Sequence, residues 1–98
     1  MPREHDRVAY FTEVELQFAS GRREARISDL SEGGCYVEYF APLSAGETVK
    51  FDLRLPDGER IPVEGEVTYA FENMGFGVRF VNMSERDTER LREIVAKG

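Results

Sequence analysis

The stretch Val49-Lys50-Phe51-Asp52-Leu53-Arg54-Leu55-Pro56-Asp57-Gly58-Glu59-Arg60-Ile61-Pro62-Val63 places apolar residues at every second position on both sides of a short turn. In an extended chain successive side chains point to opposite faces, so a period of two marks a half-buried strand. Before the turn, Val49, Phe51, Leu53 and Leu55 alternate with Lys50, Asp52 and Arg54. After it, Ile61, Val63, Val67, Tyr69 and Phe71 are set against Pro62, Glu64, Glu66 and Thr68. Pro56-Asp57-Gly58-Glu59 carries proline and glycine at turn-compatible positions, which predicts a hairpin.

The same period extends outward in both directions. Val8, Tyr10, Thr12, Val14, Leu16 and Phe18 alternate with Ala9, Phe11, Glu13, Glu15 and Gln17. Ser20-Gly21 turns the chain into a second strand around Glu24 to Ser28, and a third runs from Cys35 to Phe40 with Cys35, Val37 and Tyr39 on one face. Pro42 to Gly46 reads as a loop. Beyond the central hairpin, Glu72 to Gly75 turns into a sixth strand, where Phe76, Val78 and Phe80 share a face. The period then changes. Ser84 is a good N-cap, Glu85 and Asp87 suit a first helical turn, and Leu91, Ile94 and Val95 form an apolar stripe closed by Lys97 and Gly98. The expected architecture is all-β with one terminal helix: a six-stranded antiparallel β-barrel, which removes exposed edges, plus a C-terminal α-helix over one face or opening.

A chain of 98 residues makes one small domain able to fold without staples. The expected division is an N-terminal arm over residues 1–7, a barrel over 8–81 and a helix over 84–97. No apolar run reaches the length of a membrane span and no leader is visible, so the chain reads as cytoplasmic. The lone Cys35 fits that reading as a small strand residue facing the core. A net charge of −6 argues against long nucleic acid, whose affinity comes from neutralising many phosphates. It leaves room for a small nucleotide. A single His and a single Cys give no base–nucleophile arrangement, and there is no zinc spacing, P-loop or dinucleotide fingerprint, so no enzyme is expected.

Two short strings carry the chemistry. Arg3-Glu4-His5-Asp6-Arg7 places two guanidinium groups four residues apart ahead of the first strand, and Asp29-Leu30-Ser31-Glu32-Gly33-Gly34 pairs a carboxylate and a hydroxyl with a double glycine. Arginine reads phosphate and the N7/O6 edge of guanine in a fork geometry, while aspartate accepts from amino and imino groups on a base edge. Together they suggest a guanine-nucleotide site. The plainer readings are a solvated tail for the arginines and local turn caps for Asp29 and Ser31, which bond their own backbone. His5 reads as a solvent-exposed spectator, and the period-two Tyr and Phe residues read as core. Arg79 points away from Phe80 and Val78; it is either a plain surface charge or a support for the ligand surface.

In their order, their separation by one hairpin and the closing helix, these strings resemble the paired motifs of the PilZ domain, Arg-x-x-x-Arg followed by Asp/Asn-x-Ser-x-x-Gly. Gly75-Phe76-Gly77-Val78-Arg79-Phe80 is similar to that family's last strand, and the resemblance spans essentially the whole chain. It implies a bacterial receptor for cyclic di-GMP with no metal or other cofactor. Arg3 and Arg7 would clamp the ligand from an arm, and Asp29 and Ser31 would read guanine. Gly34 would let the backbone approach the ligand or adopt a positive φ. Pro2, where some members carry a further arginine, leans toward one bound ligand rather than an intercalated pair. Binding would order the arm and signal to a protein effector in a motility, pilus, polysaccharide or transcription apparatus. The rival within the family is an interaction module that binds no nucleotide. A single-stranded nucleic-acid binder is opposed by the acidic charge. The domain could also be part of a longer protein.

Overall fold

The computed structural model describes residues 7–19, 21–39, 44–71 and 74–97. Its elements are β1 (Val8–Phe18), β2 (Gly21–Leu30), β3 (Gly34–Glu38), β4 (Thr48–Arg54), β5 (Arg60–Phe71), β6 (Gly75–Val81) and α1 (Glu85–Lys97). The strands close into an antiparallel barrel in the order β1-β2-β3-β6-β5-β4. The fold expected from the alternation is the fold observed.

The inward residues of every strand meet in one core. Leu16, Ile27, Leu30, Cys35, Val37, Val49, Leu53 and Ile61 are fully buried, with Phe76 and Val67 at 1% exposure. Burying such side chains is the main favourable term in folding, about 1.5–3 kcal/mol for each large aliphatic or aromatic group. Pro62, inside β5, sits beyond the end of β6, whose last partner on β5 is Glu64 opposite Val81. Its missing N–H therefore removes nothing from the β5–β6 ladder.

Helix α1 plugs the mouth at which β2 ends and β3 begins. Ser84 caps it: the Ser84 Oγ accepts the Asp87 N–H at 3.1 Å. Leu91 enters the core, fully buried, and Ile94 and Met83 pack against the same core. Arg90 pairs with Glu59 at the β4–β5 hairpin, and Arg92 Nε donates to Glu32 Oε2 at 2.6 Å in the β2–β3 turn. Among the described residues no helix is long and apolar enough to cross a membrane.

Irregularities in the ladders set which residues face out. Between β1 and β2 the pairs Ala9↔Asp29 and Thr12↔Ile27 leave Tyr10 and Phe11 opposite Ser28 alone. Between β2 and β3 the pairs step from Ile27↔Val37 to Asp29↔Tyr36, so Ser28 is extra. Between β5 and β6 they step from Val67↔Val78 to Tyr69↔Gly77, so Thr68 is extra. An extra residue reverses the in–out parity of everything after it. This corrects one expectation: Tyr69 and Phe71 do not share the inward face of Val67 but stand 40% and 55% exposed.

Candidate functional site

Asp29 and Leu30 belong to β2 rather than to a turn, and the turn itself is short, Ser31 to Gly33. Strand pairing fixes the Asp29 backbone from both sides, through Ala9 on β1 and Tyr36 on β3. The Asp29 carboxylate is held as well. Its Oδ1 accepts the Tyr36 backbone N–H at 3.1 Å and the Arg7 Nη1 at 2.7 Å. Arg7, the last residue before β1, thus brings the second arginine of the first string onto the aspartate of the second. The Arg7 and Asp29 side chains are 42% and 33% exposed, at the rim of the barrel wall rather than within it. Arg3 lies outside the described residues.

Ser31 and Gly34 form a separate pair. Ser31 is 3% exposed. Its Oγ accepts the Gly34 N–H at 3.1 Å and donates to the Gly34 carbonyl at 3.2 Å, while its own N–H donates to the same carbonyl at 2.8 Å. The turn-cap role of this hydroxyl is therefore realised. Gly34 also differs from expectation, because it is not among the glycines with positive φ. Its bareness serves β6: a Cβ there would meet the Val78 carbonyl oxygen at 2.1 Å. The close approach that Gly34 permits is between strands.

The surface beside Asp29 is aromatic, which the sequence reading missed by assigning such residues to the core. Across β2, β3, β6 and β5 the ladders align Asp29, Tyr36, Gly77 and Tyr69 in one outward row. The Tyr36 and Tyr69 rings stack with centroids 6.3 Å apart at 29°, and Phe71 adjoins Tyr69 at 5.5 Å. Both tyrosines lie over glycines. A Cβ on Gly77 would stand 2.3 Å from the Tyr69 ring, and one on Gly75 would stand 2.9 Å from that of Tyr36. The available signal was Gly75 and Gly77 alternating on one strand, since outward glycines invite aromatic cover from neighbouring strands. Burial against its neighbours, then Tyr69, Glu38 and Asp29, push the Tyr36 hydroxyl pKa up, so it stays a neutral donor at ordinary pH.

The row is flanked by two ion pairs. On the side toward α1, Arg79 stands opposite Gly34 on β3 and Glu66 on β5, with Arg79 Nη2 3.4 Å from Glu66 Oε1. On the other side Arg26 donates twice to Glu38 Oε1, from Nη2 at 2.6 Å and Nε at 3.1 Å. Cys35 lies behind the row, and burial pushes its thiol pKa far up, which makes it inert packing. Among the described residues no cluster of His, Cys, Asp or Glu could hold a metal ion.

The fold has close counterparts. It aligns over 99% of its length with the inhibitor of motility MotI/DgrA of Bacillus subtilis, at a TM-score of 0.87 and 19% identity. It aligns over 97% with YcgR of Escherichia coli, solved in complex with c-di-GMP, at 0.82 and 18%. The chain spans about half of each, 51% and 45%. The PilZ domain of YcgR, solved with c-di-GMP, matches over 99% of this chain and 91% of its own, at 0.78 and 18%. No curated protein matches in sequence. The model of the PilZ domain family matches residues 2–97. With a closed six-stranded barrel, a terminal helix and a family match over nearly every residue, this chain belongs to the PilZ domain family.

Proposed function

We propose that this chain is a receptor module for cyclic di-GMP, with Arg3, Arg7, Asp29, Ser31 and Gly34 building its site. The observation that carries the reading is the 2.7 Å contact of Arg7 with Asp29, which joins the two sequence strings at one rim of the barrel. The similar structures of YcgR and of PlzA from Borreliella burgdorferi, both in complex with c-di-GMP, support it.

The chemistry follows from the side chains. Asp29 Oδ1 is taken by Tyr36 and Arg7, and Oδ2 accepts no hydrogen bond among the described residues. Oδ2 is then the acceptor for the N1–H and N2–H edge of guanine, an edge adenine lacks. The Tyr36–Tyr69 surface offers a purine a flat apolar seat. Arg7 and Arg3 supply charge-assisted bonds to phosphate and guanine O6/N7. Ser31 and Gly34 act indirectly, by fixing the turn that ends β2. Ligand binding closes the arm on the wall and alters the surface offered to a protein effector, because a ligand shifts the state it contacts best.

One observation favours a second reading, an interaction module that binds no nucleotide: the Ser31 hydroxyl is buried and engaged by the Gly34 backbone. Calorimetric titration with cyclic di-GMP, beside cyclic di-AMP and GTP, separates the two. Saturable heat with cyclic di-GMP alone, lost in Arg7→Ala and Asp29→Ala and kept in Arg54→Ala, supports the receptor. No heat at high protein concentration sinks it.

A further inference from the structure

On the outer wall, one step toward α1 from the row of Asp29, Tyr36, Gly77 and Tyr69, Arg79 stands between Gly34 and Glu66. Successive outward residues on a strand are about 7 Å apart, so its guanidinium borders the aromatic surface and the last glycine of the second string. We propose that Arg79 is a further ligand-binding residue, a phosphate anchor on the barrel wall that Glu66 holds until ligand arrives. The proposal rests on the cyclic dinucleotide reading and adds to it a third arginine, far from the arm in sequence.

Three observations carry it. First, Arg79 is 59% exposed while both residues beside it on β6, Val78 and Phe80, pack inward, so its charge is free to meet a ligand. Second, its contact with Glu66 is a single one at 3.4 Å, with Glu66 itself 45% exposed. That is well beyond the 2.7–2.9 Å of a strong charge-assisted bond, and exposed pairs of this kind contribute little. A phosphodiester offers the same fork two acceptor oxygens and exchanges with Glu66 readily. Third, the position completes the charge pattern. Arg7 lies at the β2 side of Tyr36 and Arg79 at its β6 side, so a ligand with two phosphates seated on Tyr36 meets a guanidinium on each side. Arg26, the other arginine flanking the row, already gives two short bonds to Glu38 and is not poised in this way.

The test is calorimetric titration of the full chain with cyclic di-GMP at low and high salt, with melting curves as the folding control. Arg79→Ala is expected to weaken binding about tenfold or more and to flatten its salt dependence. Arg79→Lys restores part of the affinity through charge without the fork. Glu66→Gln tightens binding, by up to about fivefold, because the competing carboxylate is gone. Arg26→Ala stays within about twofold of the parent. Parental affinity in Arg79→Ala, with binding lost in Arg7→Ala, overturns this inference and leaves the receptor reading standing. No binding by the parent chain overturns both. If Arg79→Ala melts early, Glu66→Gln and Arg79→Lys decide: unchanged affinity in both overturns the proposal.

Discussion

Arg7 and Asp29, 22 residues apart in the chain, meet at 2.7 Å through one nitrogen and one oxygen, and that oxygen also holds the Tyr36 N–H. The carboxylate thus belongs to the sheet and to the arm at once, and its two bonds differ in what they sustain.

Removing the arm side of that contact should barely affect stability. Arg7→Ala loses a partly exposed pair worth about 0.5 kcal/mol or less. Asp29→Ala also strips the acceptor from a half-buried backbone N–H and should cost about 1–2 kcal/mol. Urea unfolding of the two variants checks the order. An equal loss would show that the Tyr36 bond carries no weight.

Ser31→Ala is expected to act as a stability mutation before it acts on ligand. The hydroxyl both accepts from and donates to Gly34 in a buried turn, so its loss should cost about 1–3 kcal/mol. At this size each kcal/mol lowers the melting temperature by about 4–8 °C. A melting curve unchanged by the substitution would refute the stapling role.

Gly34→Ala and Gly77→Ala should part company. At Gly34 the added methyl meets the backbone carbonyl of Val78 at 2.1 Å, which cannot give way without separating β3 from β6. At Gly77 it meets the Tyr69 ring at 2.3 Å, an exposed side chain free to swing out. The first variant should lose amide protection along β3 and β6. The second should keep its fold and lose the Tyr36–Tyr69 stacking, visible as a changed near-ultraviolet tyrosine signal.

Leu91→Ala opens a cavity beneath α1 and should cost about 2–5 kcal/mol, a large part of the about 5–15 kcal/mol that holds such a domain together. Arg92→Ala frees the helix from Glu32 but leaves Leu91 seated, so it should change melting little and speed amide exchange in α1. Exchange confined to the parental rate would place the tether elsewhere.

Burial raises the Cys35 thiol pKa from its ordinary value of 9.0 in the unfolded chain. The unfolded state therefore releases a proton first as pH rises, and stability present below about pH 9 falls above it. Thiol-reactive dye should label Cys35 only on unfolding. Rapid labelling of the native protein would contradict its burial.

The strands, the central hairpin and the capped helix were legible because alternation and turn chemistry are local. Val49 to Val63 announces itself, and Ser84 with its acidic first turn does the same for α1. The motif residues were legible as residue types, but the partners of Ser31 and Gly34 were not. The Val78 carbonyl that excludes a side chain at Gly34 is 44 residues downstream and enters only through strand pairing. The aromatic surface was hidden for another reason. The letters of β5 alternate without interruption through Thr68, so nothing local marks the point at which the pairing skips a residue and Tyr69 turns outward. The second strand was placed around Glu24 to Ser28 for want of apolar residues at its ends, Gly21 to Arg23 and Asp29, although β1 pairs with these too.

The skipped pairing at Thr68 carries a lesson for comparing lengths among kin of this chain. A sibling with one added residue between Gly77 and Val78, which would give Thr68 a partner, would keep Tyr69, Phe71 and every letter of both strings. Its tyrosine would nonetheless turn into the oil of the interior, leaving Asp29 beside a bare wall. Counting residues between Val67 and Val78 is thus as diagnostic of a working surface as matching the letters themselves.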